Sequence, residues 1–188
     1  MHIKLFAAWL VFAAGCGVAA AAPSGPLHGT VVHVADGDSF VVRAVAAHGI
    51  ARRTRVRITA IDAPEATQAH HRAAGERLRA LILKRVIRVD TVARDRYGRS
   101  VGRVTVDGRD AGLAMLRSGL AWYAPAHALE LEPGDRQRYR EAERSAQRER
   151  AGLWIDANPT PPWTFRRAHP RSRLRRAIRA AARARRRA

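Results

Sequence analysis

The chain has 188 residues, of which 47% are hydrophobic, with a formal net charge of +19 and a single cysteine. This length suits one domain with appendages, large enough for a real core without covalent staples. One cysteine excludes a disulfide scaffold, and no stretch beyond the first 22 residues is apolar enough to cross a membrane. The charge indicates a polyanionic partner, with nucleic acid first and an anionic membrane or cell-wall polymer as the rival.

The N-terminal 22 residues are typical of an export signal. A short positive start precedes an apolar run, residues 5–14, that is too short to span a membrane as a stable helix. Three alanines before Pro23 supply a cleavage site, so we predict a signal peptide over residues 1–22 and an exported protein, periplasmic or extracellular. A second interpretation stays open, because the AAGC sequence ending at Cys16 resembles a lipoprotein cleavage box whose first position is usually leucine.

Alternating apolar positions predict five short strands and about three helices. The expected strands cover residues 27–35, 40–43, 56–60, 86–92 and 100–106. The expected helices cover residues 67–83, a short stretch after Asp110, and residues 135–150, while residues 44–53 are expected to form a loop. Five short strands with a helix between the third and fourth are the layout of a five-stranded OB-fold barrel, a β-barrel with helices of the α+β class. We expect this domain to cover residues 27–155.

The charge is concentrated at the C-terminal end of the chain. Eleven arginines and no acidic residues lie from Arg166 onward, which leaves +8 of the +19 for everything before it. We interpret residues 156–165, which include the sequence NPTPP, as a stiff linker. Residues 166–188 are interpreted as a basic tail that binds polyanions and becomes helical against them.

The segment that organises the domain is residues 57–65, with the sequence RITAIDAPE. Its first half alternates as a half-buried strand does, and Pro64 then breaks the strand because its ring fixes φ and restricts the residue before it. The result is a rigid corner that presents Arg57, Asp62 and Glu65 together at a strand end. One cation and two carboxylates held apart by a stiff turn suit a metal-assisted attack on phosphate.

Two further motifs flank this segment. Taken alone, residues 36–39, with the sequence DGDS, are most simply interpreted as a hairpin turn. The presence of Asp62 favours a cation site instead. Two acidic oxygens brought together need a cation to offset their repulsion, and hard oxygen ligands suit calcium. Residues 95–104, DRYGRSVGRV, predict a tight turn that leads into the fifth strand.

With these three motifs in this order, the chain resembles the thermonuclease, or staphylococcal nuclease-like, family of calcium-dependent nucleases. The resemblance runs from about residue 28 to residue 154 and implies the OB-fold described above. It also implies that Asp38 and Asp62 ligate Ca²⁺ together with the main-chain carbonyl of Ala63, where the family often has threonine. Because that ligand is main-chain, alanine should serve equally well.

By the same resemblance, Glu65 acts as the general base on the attacking water. Arg57 and Arg99 are expected to grip the phosphate, because a guanidinium offers paired donors to two oxygens. Ser39 stands where the family usually has threonine. Because serine keeps the hydroxyl, we expect this difference to have little effect on the site.

Four more residues are expected to support the site or to meet the substrate. We expect Asp36 to orient ligands or water. Asp95 and Tyr97 are expected to shape the turn that aims Arg99, and Tyr97 could also reach the phosphate or the sugar. Tyr123 could stack on a base or simply cover the barrel, and both interpretations stay open.

The sequence therefore predicts a secreted, monomeric, calcium-dependent nuclease, a phosphodiester hydrolase that acts on DNA, RNA or both. The alternative is a nucleic-acid-binding OB-fold module without catalysis. Such a module would be expected to lose Glu65 or one of the arginines, whereas this chain keeps the whole set. A third hypothesis is a polyanion-binding surface protein whose tail is the main functional part.

Overall fold

The computed structural model describes residues 25–45, 51–129 and 131–170. The predicted signal peptide with Cys16, and the predicted tail from residue 171 onward, lie outside these ranges. The described strands are β1 (Leu27–Val34), β2 (Ser39–Val45), β3 (Ala51–Ile58), β4 (Ile61–Asp62), β5 (Val86–Arg94), β6 (Ser100–Val106), β7 (Arg109–Asp110) and β8 (Trp122–Tyr123). The described helices are α1 (His71–Ile82), α2 (Ala111–Arg117), α3 (Pro133–Arg148) and α4 (Pro162–Ala168), with short 3₁₀ turns at Pro125–His127 and Gly152–Ile155.

Five strands close into a mixed barrel. The order β3-β2-β1-β5-β6 is antiparallel at each step, and β3 then pairs in parallel with β6 to close it. Closure depends on Gly102, which lies opposite Ile58, because a Cβ there would collide with the backbone of Asp90 on the other side. The predicted OB-fold barrel of the α+β class is confirmed, with a fourth short helix near the C-terminal end of the described chain.

The core lies inside the barrel and between the barrel and its helices. Helix α1 buries Ala74, Leu78 and Ile82 at helical spacing, as its apolar stripe predicts. Each large apolar side chain buried in this way contributes roughly 1.5–3 kcal/mol. The largest fully buried side chains are Tyr139, Phe40, Ile58, Ile61, Leu78, Ile82, Ile87, Met115, Leu116, Leu153, Val31 and Val42.

Several predicted boundaries differ from the structure. The third strand, expected over residues 56–60, covers Ala51–Ile58 and ends in a turn at residues 59–60, before the break expected at Pro64. The loop expected over residues 44–53 is shorter, because β2 and β3 stay paired as far as Val45 and Ala51. Helix α1 begins at His71 rather than at residue 67, since His70 has a φ of 61° and the preceding residues form turns. The corner at Pro64 therefore continues for several residues before the chain becomes helical.

Helices α2 and α3 pack against each other and cover one side of the barrel. Asp110 caps α2 as predicted, accepting a hydrogen bond from Leu113 N at 3.0 Å. The same carboxylate accepts a hydrogen bond from the Tyr139 hydroxyl of α3 at 2.9 Å. Burial, together with the Asp110 charge, raises the pKa of Tyr139 well above its usual range, so this hydroxyl stays protonated.

The chain then returns to the barrel through residues 156–168, a segment that we call the strap. It bends at residues 156–158, passes through residues 159–161 and continues as α4. The predicted boundary between linker and tail, at residues 165 and 166, therefore falls inside a helix. Across the described ranges, no helix is both long and apolar enough to cross a membrane.

Candidate active site

Two turns at one end of the barrel bring the predicted acidic residues together. The β1–β2 turn carries Asp38, whose carbonyl accepts a hydrogen bond from Ile58 N at 2.9 Å. The chain leaving β3 turns through Ala60, which has a φ of 60°, into the two-residue strand β4 that ends at Asp62. Strand β4 is fixed by pairing with β8, so both carboxylates stand on rigid backbone.

Arg57 links the two carboxylates. Its Nη1 donates to Asp38 Oδ2 and its Nη2 to Asp62 Oδ1, each at 2.9 Å. The side chains of Asp38, Asp62 and Arg57 are only 5%, 2% and 15% exposed. Burial alone would lower the pKa of Arg57, but the two carboxylates raise it above its usual value. The guanidinium therefore stays charged and holds the carboxylates together.

Asp38 also accepts hydrogen bonds from Ser39 and from the backbone of Ala63. The Ser39 hydroxyl donates to Oδ1 at 2.6 Å, and the backbone N–H of Ala63 donates to Oδ2 at 3.1 Å. Burial alone would raise the pKa of Asp38, but the charge of Arg57 and these hydrogen bonds bring it below its usual value. Asp36 stands beside it and accepts from the backbone N–H of Asp38 at 3.2 Å. Asp38 is thus held ionised.

The turn before β6 aims Arg99 at the same place. Asp95 Oδ1 accepts from the backbone N–H groups of Tyr97 and Arg99, at 2.9 and 3.0 Å, and Oδ2 accepts from Arg99 Nε at 2.6 Å. Arg99 Nη1 then donates to the Ser39 hydroxyl at 3.1 Å. Asp95 thus bonds both the backbone of this turn and the side chain of Arg99. A continuous network therefore runs from Arg99 through Ser39 and Asp38 to Arg57.

Tyr97 is exposed at the tip of this turn. The guanidinium of Arg99 lies 5.6 Å from its ring centroid, a cation–π distance, and that of Arg96 lies at the same distance. Tyr97 is 56% exposed, so its hydroxyl and ring are open to solvent beside the network.

Tyr123 lies behind the site rather than in it. It is 5% exposed and packs edge-on against Tyr139, with ring centroids 6.5 Å apart. Its backbone N–H donates to Glu143 at 2.9 Å, and burial raises the pKa of that glutamate. Of the two interpretations left open by the sequence, the packing favours the one in which Tyr123 covers the barrel.

Arg166 is in the site although the sequence analysis assigned it to the tail. Its Nη2 donates to Asp62 Oδ2 at 2.7 Å, and its Nη1 donates to Asp62 Oδ1 at 3.1 Å and to Glu65 Oε1 at 2.9 Å. The sequence carries no signal that would single it out among eleven arginines at that end of the chain. Only the path of the strap brings it to the carboxylates.

The structure thus gathers Asp36, Asp38, Asp62, Ala63, Glu65, Arg57, Asp95 and Arg99 at one barrel end, with Tyr97 at its edge and Tyr123 in the wall behind. Comparison with known proteins identifies the family of the chain. The model of the family described as Staphylococcal nuclease homologue matches residues 55–156. The chain belongs to the staphylococcal nuclease homologue family.

Relatives in bacteria and plants agree with this assignment. A micrococcal nuclease of Shigella flexneri is 37% identical over 150 residues, covering 74% of this chain and 80% of the relative. An uncharacterized endonuclease of Escherichia coli O157:H7 is 34% identical over 142 residues, covering 74% of this chain and 85% of the relative. A staphylococcal-like nuclease of Arabidopsis thaliana is 32% identical over 117 residues, 62% of this chain but 34% of the longer plant protein. The predicted family is confirmed.

The site extends beyond the residues that the family model matches. Arg57, Asp62, Glu65 and Arg99 lie within the matched residues 55–156. Asp38 lies before them, in the β1–β2 turn, and Arg166 lies ten residues beyond them, on α4. The matched residues thus supply most of the network, and the segments on either side supply one carboxylate and one more cation.

Proposed function

We propose that the chain is an exported, calcium-dependent nuclease that hydrolyses phosphodiester bonds of DNA, RNA or both. The observation that carries the proposal is the linked network of Asp38, Asp62, Glu65, Arg57 and Arg99 at one end of the barrel. Membership of a nuclease family supports the enzyme class, a phosphodiester hydrolase. The network supplies what that reaction needs, namely cation ligands, a base and donors to the phosphate.

The donor set suits a hard cation. Asp38 and Asp62 present carboxylate oxygens side by side, and both are already bonded to a cationic guanidinium. In the described ranges, no three His, Cys, Asp or Glu side chains form a cluster able to hold a metal ion. Calcium takes roughly six to eight oxygens, so main-chain and water oxygens would have to complete the shell.

Ala63 is the natural source of the main-chain ligand. Its N–H already bonds to Asp38, so the backbone of Ala63 lies beside the carboxylates, and we propose its carbonyl as the ligand. A bound calcium would supply positive charge that offsets the charge developing on the phosphoryl oxygens.

Glu65 is proposed to take the proton of an attacking water. It lies three residues after Asp62, across Pro64, and its side chain is 15% exposed, so it is held at the surface of the site. A general base must lie near the metal ligands, and the shared contact of Asp62 and Glu65 with Arg166 shows that the two carboxylates lie close together.

Arg57 and Arg99 are proposed to bind the phosphate. Each is anchored by a carboxylate, Arg57 by Asp62 and Arg99 by Asp95, so neither guanidinium has to be ordered when substrate arrives. A guanidinium has five N–H donors in a fixed plane, more than these anchoring bonds use. The remaining donors can reach two phosphoryl oxygens at once.

The substrate and location follow from charge and from the N-terminal sequence. A net charge of +19 favours a polyanion such as nucleic acid. The apolar N-terminal run supports export. Fusing residues 1–22 to a reporter that is active only outside the cytoplasm tests the export signal, and a silent reporter would contradict it.

The deciding experiment is plasmid nicking by the purified protein, with calcium and with a chelator, for the wild type and Glu65→Gln. We expect calcium-dependent cleavage that falls by about 10²–10⁴-fold in the variant, because the base is lost while the fold is kept. Glu141→Gln, an exposed glutamate on α3, serves as the control and should cleave normally. If the protein retains plasmid DNA but does not cut it at any calcium level, the nuclease proposal is wrong. The alternative, a nucleic-acid-binding module without catalysis, would then be favoured.

A further inference from the structure

Arg166 occupies the oxygens that the proposed metal would need. Its guanidinium lies in a fork against both oxygens of Asp62, at 2.7 and 3.1 Å, and also binds Glu65 at 2.9 Å. The Arg166 side chain is 28% exposed, while Asp62 is almost fully buried. Paired N–H···O bonds to a buried carboxylate are among the stronger polar contacts in proteins.

The strap is anchored at other points, so the position of Arg166 does not depend on its own contacts alone. Near its start, Asp156 Oδ2 lies 3.0 Å from His70 Nε2. Farther along, the carbonyl of Thr160 accepts a hydrogen bond from the Gln68 side chain. Both partners belong to the turns between Glu65 and α1, the same piece of chain that carries the proposed base. The strap is thus attached to the rim of the site.

The strap packs loosely on its other side. An open groove of about 620 Å³ separates it from β8 and α3 and is lined by Trp163, Trp154 and Trp122 among others. Within residues 156–168 only Pro162, at the first turn of α4, is buried. The helix that presents Arg166 can therefore move away without exposing a large buried surface.

The contacts argue against a metal and Arg166 on the same carboxylate. Both oxygens of Asp62 accept from Arg166, and Oδ1 also accepts from Arg57. A metal ion bound to Asp62 would lie close to the Arg166 guanidinium, and two positive charges so near each other repel. Binding of a metal ion to Asp62 therefore favours release of Arg166.

We propose that Arg166 is an internal competitor for the metal ion, so that the strap closes the metal-free site and must release Asp62 and Glu65 before a divalent cation binds there. This inference rests on the proposed metal site. The closed strap is then an autoinhibitory contact, and it covers the metal carboxylate and the base at once.

Competition of this kind lowers the apparent calcium affinity by the fraction of molecules in which the strap is open. If about one molecule in ten is open, removing Arg166 should tighten calcium binding about tenfold. Arg167 offers a matched control, because it is the next residue on α4, carries the same charge and donates to Thr164 rather than to the carboxylates.

The test is calorimetric titration of the purified full-length protein with calcium, for the wild type, Arg166→Ala and Arg167→Ala. We expect the dissociation constant to fall about tenfold for Arg166→Ala, and to stay within about twofold for Arg167→Ala because only long-range charge changes. Thermal unfolding of all three proteins checks that the barrel is intact.

A second readout follows the strap itself. Trp163 precedes Arg166 by three residues on the strap, so its fluorescence, isolated by subtracting the Trp163→Phe signal, should report release. We expect calcium to change this emission in the wild type. An emission that calcium leaves unchanged would overturn the release of the strap.

Each outcome bears on the proposal. Equal dissociation constants for the wild type and Arg166→Ala would overturn the competition and leave the nuclease intact. Weaker calcium binding by Arg166→Ala would also overturn it, since Arg166 would then support the site rather than block it. If none of the proteins binds calcium, the proposed metal site fails as well, and the competition with it.

Discussion

The barrel end and the strap both supply arginines to the same carboxylates, but they hold them differently. Arg57 lies on β3, in the middle of the barrel sheet, and bridges Asp38 and Asp62 with two bonds of 2.9 Å. Arg166 lies on a seven-residue helix near the C-terminal end of the described chain and reaches Asp62 from outside. Arg57 is part of the barrel, whereas Arg166 contacts the barrel from a helix outside it.

This difference indicates two kinds of role. A cation fixed by buried backbone stays in place throughout a reaction and is suited to orienting ligands and substrate. A cation on a short helix outside the barrel can leave at the expense of a few polar contacts and some packing. We therefore expect Arg57 to be needed for activity and Arg166 to control access to the site.

Replacing Arg57 should have the largest effect. In Arg57→Ala, two buried carboxylates lose their shared partner, so unfolding should cost about 3 kcal/mol less without calcium. The nuclease rate should fall by about 10²–10³-fold because a fixed charge near the phosphate is lost. Urea unfolding and plasmid cleavage at saturating calcium measure the two effects.

Arg53→Ala is the matched control, an exposed arginine on the same strand, and its stability should change by less than about 0.5 kcal/mol. Calcium should restore part of the stability of Arg57→Ala, because the cation would replace the lost charge. A variant as stable and active as the wild type would show that Arg57 has no more than a surface role.

Removing residues 171–188 tests the tail apart from the strap, because Arg166 is kept. Nine arginines are lost, so affinity for DNA should fall by tenfold or more at low salt, and the salt dependence of binding should become shallower. Calcium affinity and the rate at saturating DNA should stay unchanged. A large loss of that rate would instead make the tail part of the catalytic machinery.

Most of the barrel and its site could be predicted because short-range patterns encode them. The alternation of apolar and polar residues predicted the strands. The corner at Pro64 predicted that Asp62 and Glu65 would lie near Arg57. Tyr139 was missed, because helical periodicity on a highly charged helix gave only a thin seam of alanines. Arg166 was missed for a different reason. Its role depends on where the strap lies, and neighbouring arginines of the same type carry no local signal.

Loosening the strap at its start should have a smaller effect than removing Arg166. In Asp156→Asn, the contact with His70 is weakened while the guanidinium remains, so calcium affinity should rise only about two- to threefold. Calorimetric titration of Asp156→Asn and Arg166→Ala with calcium compares the two changes in affinity. An Asp156 variant that tightened calcium binding as much as Arg166→Ala would place the restraint in the anchor rather than in the competing charge.

The smallest expected effect is a change in the free energy of unfolding when Asp95, in the turn that aims Arg99, is replaced. The sign of this change with pH follows from the pKa shift of Asp95. Burial alone would raise the pKa of Asp95, but hydrogen bonds from the backbone N–H and the side chain of Arg99 lower it below its usual value. Asp95 therefore stabilises the fold when ionised, above its unfolded pKa of about 3.9, and this contribution is lost as pH falls through the lower folded pKa.

Asp95→Asn isolates that charge, because the amide oxygen can still accept from the backbone N–H groups of Tyr97 and Arg99. At pH 7 the variant should be less stable by under about 1 kcal/mol, since the pair with Arg99 is only partly buried. The difference should shrink as the pH falls below about 4. Urea unfolding from pH 7 down to acid measures it, and a difference that does not change with pH would mean that the charge of Asp95 contributes nothing to holding Arg99 at the site.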